Sequence, residues 1–600
     1  MGLSIGIDLG TTNSVAGVAT PEGVRLAADG RGNRVHASVV SLPAGGGRIL
    51  GNSAKVRKAT DPAQTIYSAK RLIGQNVRAP LVQLAMASLP YPVEEGNNQQ
   101  PIIVVGGRRM TVPEVSAMVL THLRQLCEEQ FEEEVTGAVI TVPANFSDSQ
   151  RQGTKEAGRI AGLEVMRLVN EPTAAALAYG YGRSMDQRVA VFDFGGGTFD
   201  FSVLKIDSDI FEVLGTDGEF FLGGDDIDHM IAEFLAAQMN TALHIDPRPI
   251  PTAMNRLGIA AEQIKQYLTS NEAAGGTIDG IVVNDSGKSV SVEFELSRER
   301  FDGMIEGYVD RTIDVCRNVL ASTGLEVGDI DDVIMVGGST RIPLVRQRLS
   351  EFFSKEPATR INPDEVVAHG AAIQAAMLAG EVHEGERGEL TDELAENPMP
   401  IDMGIPEEGE VSQGGAALLL DVTPATLRIA TAGGYSEPFL EKNSPIPIER
   451  TKLFTTAHAN QSRVVIECYR GPARRQDENE LLGSIELNDI PPGERGEAEI
   501  EVTFRVDPDS ILHVRARDLR SENEVEAKLN VIGAPVSDNF RSTIDLPEGL
   551  SEKQAAKLRQ KHEKEQQKLA QKLDKKAEKD RLKADKQRTK AAKRAQTGEG

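Results

Sequence analysis

Two short segments, alike in pattern and far apart, constrain this chain more than any other feature. Residues 5–14 read IGIDLGTTNS and residues 191–202 read VFDFGGGTFDFS, and in each an Asp (Asp8, Asp193) ends an alternating, strand-like run with glycine and then threonine just beyond it. Glycine has no Cβ and tolerates positive φ, so successive amides can converge on an anion while threonine hydroxyls donate further bonds. An Asp at each strand end suits a hydrated Mg²⁺, which takes oxygen ligands and keeps much of its water. Either segment alone reads equally well as a glycine-rich hairpin turn. As a pair, 185 positions apart, they predict two related lobes gripping one nucleotide.

Size and charge narrow the setting. At 600 residues the chain exceeds a single core and predicts several domains. Its 66 Lys plus Arg face 90 Asp plus Glu, a net charge of -24, which repels nucleic acid and acidic membrane surfaces. Neither is expected as a partner. Cys127, Cys316 and Cys468 stand too far apart for a Cys-x-x-Cys pair, so neither a zinc cluster nor a disulfide framework is expected. The first ten residues carry no leader pattern, and no run reaches the roughly 18 apolar residues of a membrane span. A soluble cytoplasmic protein is the expectation.

Composition shifts along the chain. Residues 1–380 mix strand-like runs (3–9, 138–142, 188–194, 333–336) with helical stretches (115–129, 147–161), which predicts an α/β architecture. Residues 381–417 hold eleven acidic residues against one basic residue, Arg387, too little apolar surface to offset chain entropy, and read as a flexible linker. Residues 421–533 hold short alternating strands (463–469, 484–487, 498–506, 511–516), an antiparallel β pattern. There Asp507-Pro508-Asp509-Ser510 places Pro where a type I turn wants its fixed φ, predicting a hairpin. Residues 551–600 reverse the charge, with 17 basic residues against eight acidic. The expected divisions are 1–380, 381–420, 421–533 and a charged tail over 534–600.

Other signatures fail on inspection. Residues 287–289 end like a P-loop, but Val282 stands where that motif needs Gly. Residues 337–341 have Arg341 where a nucleophile elbow needs its last Gly, and after His383-Glu384 a zincin's second His is replaced by Arg387. What remains is IDLGTTNS, NEPTAAALAYG (170–180), DFGGGTFD, GGSTRIP (337–343) and NPDEVVAHGAAIQ (362–374), with LLLDVTP (418–424) beyond the linker. Together they closely resemble the DnaK-type, seventy-kilodalton heat-shock chaperones. The resemblance implies an actin-like two-lobed α/β ATPase, then an antiparallel β-sandwich that binds extended hydrophobic segments of unfolded proteins; the composition of the remainder predicts a charged helical tail.

Carried over residue by residue, the resemblance places Asp8, Thr11, Thr12, Asn13, Gly195, Gly196, Gly197 and Thr198 around the phosphates of ATP or ADP, with Asp200 completing the second loop. Asp8 and Asp193 would hold Mg²⁺; K⁺ is left open. Lys70 would neutralise charge on the γ-phosphate, and Glu171, Asp193 and Thr198 would orient the attacking water. Glu262, Lys265 and Thr269 match the helix on the adenosine, and Gly338, Ser339, Arg341 and Asp364 the opposite wall. Asp225 stands where the family often has Glu.

Coupling and peptide residues follow in the same way. Leu418, Leu419 and Leu420 would dock on the ATPase in one nucleotide state; read alone, the run is a buried first strand. Pro143 and Arg151 match relay positions, and Arg167, Asn170 and Asp421 match positions engaged by J-domain cochaperones; a nucleotide-exchange factor is a further implied partner. Ile429, Phe454, Val464 and Ile466 match the lining of the peptide groove, though each reads equally as core. The residues arching over peptide would be Ala432 and Ala457, both small, so weaker enclosure is expected. Residues 551–596 hold only Leu558, Leu569, Leu573 and Leu582 as large apolar residues, too few for a helical-bundle lid, and predict a single exposed helix of about 45 residues, roughly 65 Å long. A nucleotide-exchange cochaperone and an actin-like small-molecule kinase are the rival readings.

Overall fold

Strand Leu3–Leu9 is the axis of the first lobe. It runs parallel to Val135–Val142 and antiparallel to Asn13–Thr20, within a sheet ordered Glu164–Asn170, Val135–Val142, Leu3–Leu9, Asn13–Thr20, Gly23–Leu26. The second lobe repeats the device: Asp186–Phe194 turns into Thr198–Asp207, pairing Asp193 with Asp200, and lies parallel to Asp332–Val336 on its other side. Both glycine–threonine segments are thus turns between paired strands. Both have the backbone that the hairpin reading expects.

Between the sheets lie two helices, Glu171–Gly180 and Val366–Ala379, buried over nearly their whole length. They are rich in alanine and glycine, and the closest approaches leave no room for a side chain at all. A Cβ on Gly370 would come within 1.8 Å of the Ala174 carbonyl oxygen, and one on Gly6 within 2.0 Å of the Ala372 amide nitrogen. Each lobe also carries its own apolar core, around Phe192, Phe199 and Phe301 in one and Ile7, Leu120 and Ile140 in the other. Helices Val112–Phe131 and Asp148–Ile160 start on capping boxes, Thr111 with Glu114 and Ser147 with Gln150.

The β block folds as two four-stranded antiparallel sheets. One is ordered Tyr435–Leu440, Leu427–Thr431, Val464–Arg470, Glu480–Leu487, the other Ile448–Thr455, Glu499–Val506, Leu512–Asp518, Glu524–Lys528. Phe439 and Phe504 stack at 4.0 Å between centroids within their shared core. The Pro508 turn closes as expected, the Ser510 amide donating to the Asp507 carbonyl at 2.9 Å with Ser510 at φ 61°.

Strand Leu418–Val422 joins the two architectures. Leu418, Leu419 and Leu420 pair in parallel with Ile210, Phe211 and Glu212 of the second lobe, and Asp421 and Val422 pair antiparallel with Ile446 and Pro445 of the β block. Leu419 is buried and Leu418 half exposed.

This computed structural model describes residues 2–20, 23–183, 185–283, 287–358, 362–380, 417–431, 433–521 and 523–528, all within one compact unit, Met1–Ala534. The expectations for the acidic linker up to residue 416, for Ala432 and for the charged tail lie outside the described residues. Among the described residues no helix is long and apolar enough to cross a membrane.

Candidate active site

The two turns face each other across the cleft between the lobes. A Cβ on Gly196 would sit 1.9 Å from Thr12 Oγ1, and one on Gly197 2.8 Å from Thr11 Cγ2, so the second turn can touch the first only because it is glycine. Thr12 Oγ1 donates to Asp225 Oδ1 at 3.0 Å. Ser339 Oγ donates to the Gly195 carbonyl at 2.9 Å, and Lys265 Nζ donates to the Gly224 carbonyl and to Asp228, each at 2.9 Å. Gly337, at φ 83°, brings the Gly338–Arg341 turn against the Phe194 carbonyl, where a Cβ would lie 2.4 Å away. Arg341 pairs with Asp364 at 2.7 Å. Thr269 caps the helix that carries Glu262 and Lys265, its hydroxyl donating to the Gln266 carbonyl. Asn13 is exposed and Thr198 half-buried at the start of its strand.

Below the turns four carboxylates converge. Burial, with repulsion from Glu171 next, pushes Asp8 up to about 7 and Asp200 up to about 8, and raises Asp193 well above the usual carboxylate range. Lys70 opposes these shifts; its Nζ lies 2.9 Å from Glu171 Oε1, both side chains buried. Thr141 donates to Asp8 at 3.1 Å and Asn145 to Asp200 at 3.0 Å. Excess buried negative charge beside main-chain donors fits a cation carrying a polyphosphate. Among the described residues no group of three His, Cys, Asp or Glu side chains stands where it could hold a metal ion by itself.

A cavity of about 700 Å³ opens from Thr11 and Thr12 outward between the lobes, past Asp225 and Glu262 to Met254 and Ile259. It takes in Thr11 and Thr12 of the first turn but reaches neither Lys265 nor Asp364, so only part of the expected nucleotide residues line the open cleft. Glu262 is paired with Lys55 of the first lobe at 2.7 Å.

Comparison with known proteins decides the family. The family model described as Hsp70 protein matches residues 4–414 and 400–599. The chain is similar to the chaperone protein DnaK of Psychrobacter cryohalolentis, 41% identical over 524 residues, 86% of this chain and 76% of that one. The chain belongs to the Hsp70 family. It is an Hsp70 chaperone and an ATPase, and the actin-like ATPase followed by a β-sandwich is the fold of that family.

This Hsp70 presses its β-sandwich onto the first lobe through polar contacts. Asp509, at the tip of the Pro508 turn, accepts from the Leu168 amide at 2.9 Å and pairs with Lys155. Asp148 Oδ1 accepts from the Leu512 amide at 2.6 Å, and Arg470 donates to the Asn145 carbonyl at 2.9 Å. Thr173 donates to Asp421 at 2.9 Å. Arg151, one of the largest fully buried side chains, donates to Asn170 Oδ1 at 2.8 Å and to the Ala144 carbonyl next to Pro143. Arg167 is half-buried on the outer strand of the first sheet. Of the groove residues, Ile429 and Ile466 are buried in the sandwich core, Phe454 and Val464 pack half-buried against it, and Ala457 is exposed.

Sequence reasoning missed Thr141, Asn145, Asp228 and the docking trio Lys155, Asp148 and Asp509. None carries a local signal; the Pro508 turn was readable as a turn, but not as a docking tip.

Proposed function

We propose that this Hsp70 hydrolyses ATP at the cluster of Asp8, Lys70, Glu171, Asp193 and Thr198, and uses the reaction to set how tightly its β-sandwich holds extended apolar segments of unfolded proteins. One observation carries the reading: Asp8, Asp193 and Asp200, their protonation raised by burial and by Glu171, converge with that residue beside two glycine turns, with Lys70 opposing them. Gly195, Gly196, Gly197, Thr11, Thr12 and Asn13 receive the phosphates, with Asp200 supporting the second turn. Glu262, Lys265, Thr269, Gly338, Ser339, Arg341 and Asp364 flank the adenosine. Asp8 and Asp193 would hold Mg²⁺, whose positive charge would answer the excess of buried carboxylates.

Lys70 then stabilises charge developing on the transferred phosphoryl group, while Glu171 and Asp193 orient water for in-line attack. Pro143 and Arg151 relay the state of the site to Asp421 and Leu418–Leu420 at the junction strand. A J-domain cochaperone engages Arg167, Asn170 and Asp421, and a nucleotide-exchange factor resets the cycle. Peptide enters over Ile429, Phe454, Val464 and Ile466, beneath the small arch of Ala432 and Ala457. The setting proposed is the cytoplasm, under protein-folding stress.

Single-turnover ATP hydrolysis, with and without an extended Leu-rich peptide, tests this. The wild type is expected to respond to peptide, and Lys70→Ala to lose about a hundredfold or more in rate with no peptide response. Hydrolysis by Lys70→Ala at the wild-type rate, or phosphate transferred to a small metabolite, counts against the reading.

A further inference from the structure

Two adjacent hydroxyls on the strap leading into Lys70 cross the cleft. Tyr67 Oη donates to Asn255 Oδ1 at 2.7 Å, on the second-lobe helix Pro251–Leu268, and Ser68 Oγ donates to Asp225 Oδ2 at 2.9 Å, at the start of the second-lobe helix Gly224–Leu243. Three positions further on, Arg71 pairs with Asp226 at 2.9 Å.

Asp225 is gripped twice. Its other oxygen accepts from Thr12, so one second-lobe carboxylate ties the strap to the first glycine–threonine turn. Ser68 sits at φ 53°, ψ 20°, the left-handed region that side chains other than glycine enter at a cost, and there its hydroxyl is engaged across the cleft. Tyr67 is fixed from three sides. Tyr91 meets its ring edge-on at 6.1 Å and donates to its carbonyl, and the Lys58 ammonium lies 4.1 Å from the ring centroid. The open cavity is lined by Thr11, Thr12, Tyr67, Ser68, Asp225 and Asn255 on its way out to Met254 and Ile259. These bonds therefore stand where the lobes must part.

We propose that Tyr67 and Ser68 are positioning residues whose hydroxyls latch the two lobes across the cleft and set the rate at which bound nucleotide leaves. The proposal rests on the nucleotide reading above and adds a release step to it. Neither side chain takes part in hydrolysis. The Tyr67–Asn255 bond joins two uncharged groups, whereas Lys55–Glu262 nearby is ionic and subject to screening.

Stopped-flow displacement of a fluorescent Mg·ADP analogue by excess ATP, on the full chain, reads the latch. Tyr67→Phe is expected to release it about fivefold faster, the worth of one ordinary hydrogen bond, and Ser68→Ala faster still because its hydroxyl meets a carboxylate, with single-turnover hydrolysis unchanged in both. In an Asn255→Ala background Tyr67→Phe should add nothing. Concentrated KCl should leave the Tyr67→Phe effect in place while shrinking that of Lys55→Ala. Wild-type release from Tyr67→Phe, an effect undiminished in the Asn255→Ala background, or hydrolysis falling in step with release overturns the latch. A wild type that binds no nucleotide overturns the nucleotide reading and the latch with it; normal binding with unaltered release overturns the latch alone.

Discussion

Asp200 lies at the bottom of the cleft, its carboxyl pushed up to about 8 by burial and by Glu171. The unfolded chain would release that proton near the ordinary value of 3.8. Between these limits the folded chain keeps a proton that the unfolded chain has lost. Folding is therefore penalised progressively as pH rises through the window, and the penalty is complete above about 8. Asp200→Asn removes the titration but keeps an oxygen for Asn145. Near pH 8 it should raise the melting temperature of the ligand-free protein by about 2–4 °C, with a smaller gain near pH 5. Thermal melts at the two pH values check this, and a lower melting temperature at both would show that the carboxylate stabilises the fold. The same convergence makes the site hungry for cations: a bound positive charge lowers these values and drives protons off.

At the scale of elements, local patterns were legible and their destinations were not. The strands at 138–142, 188–194 and 333–336 were readable because alternation is set by neighbours along the chain. The glycine–threonine turns were readable because tight turns and close approach restrict the residue type at each position. Asn145 and Thr141 gave no signal, since a small polar residue acquires a role only from the carboxylate that folding brings to it. The Pro508 hairpin shows both sides: its turn follows from sequence, but Asp509 meets Lys155 and the Leu168 amide, more than 300 positions away. Loss of a charge-assisted bond is worth more than loss of a neutral one. Asp509→Ala should therefore speed amide exchange at Leu419 and Leu420 by about tenfold as the sandwich undocks. Unchanged protection there would mean that the hairpin contributes little to docking.

Across the whole described body, one strand carries the connection. The apolar run at 418–420 was readable from sequence either as a first strand of the β block or as a segment docked on the ATPase. The structure makes it one strand that pairs with Ile210–Phe220 over its first half and with the β block over its second. Movement of either part must pull on the other through backbone bonds that share this strand. Leu419 is the side chain that seals it, buried with Phe211, Val213 and Val422 in the core between the lobe sheets. A carboxylate at that position cannot stay buried without a partner, so Leu419→Asp should free the strand while leaving the distant cluster at Lys70 intact. Basal single-turnover hydrolysis should persist and stimulation by an extended peptide should vanish. Stimulation surviving in Leu419→Asp would move the link elsewhere, to the polar contacts of Asp148, Arg470 and Asp509, and would make the shared strand a tether.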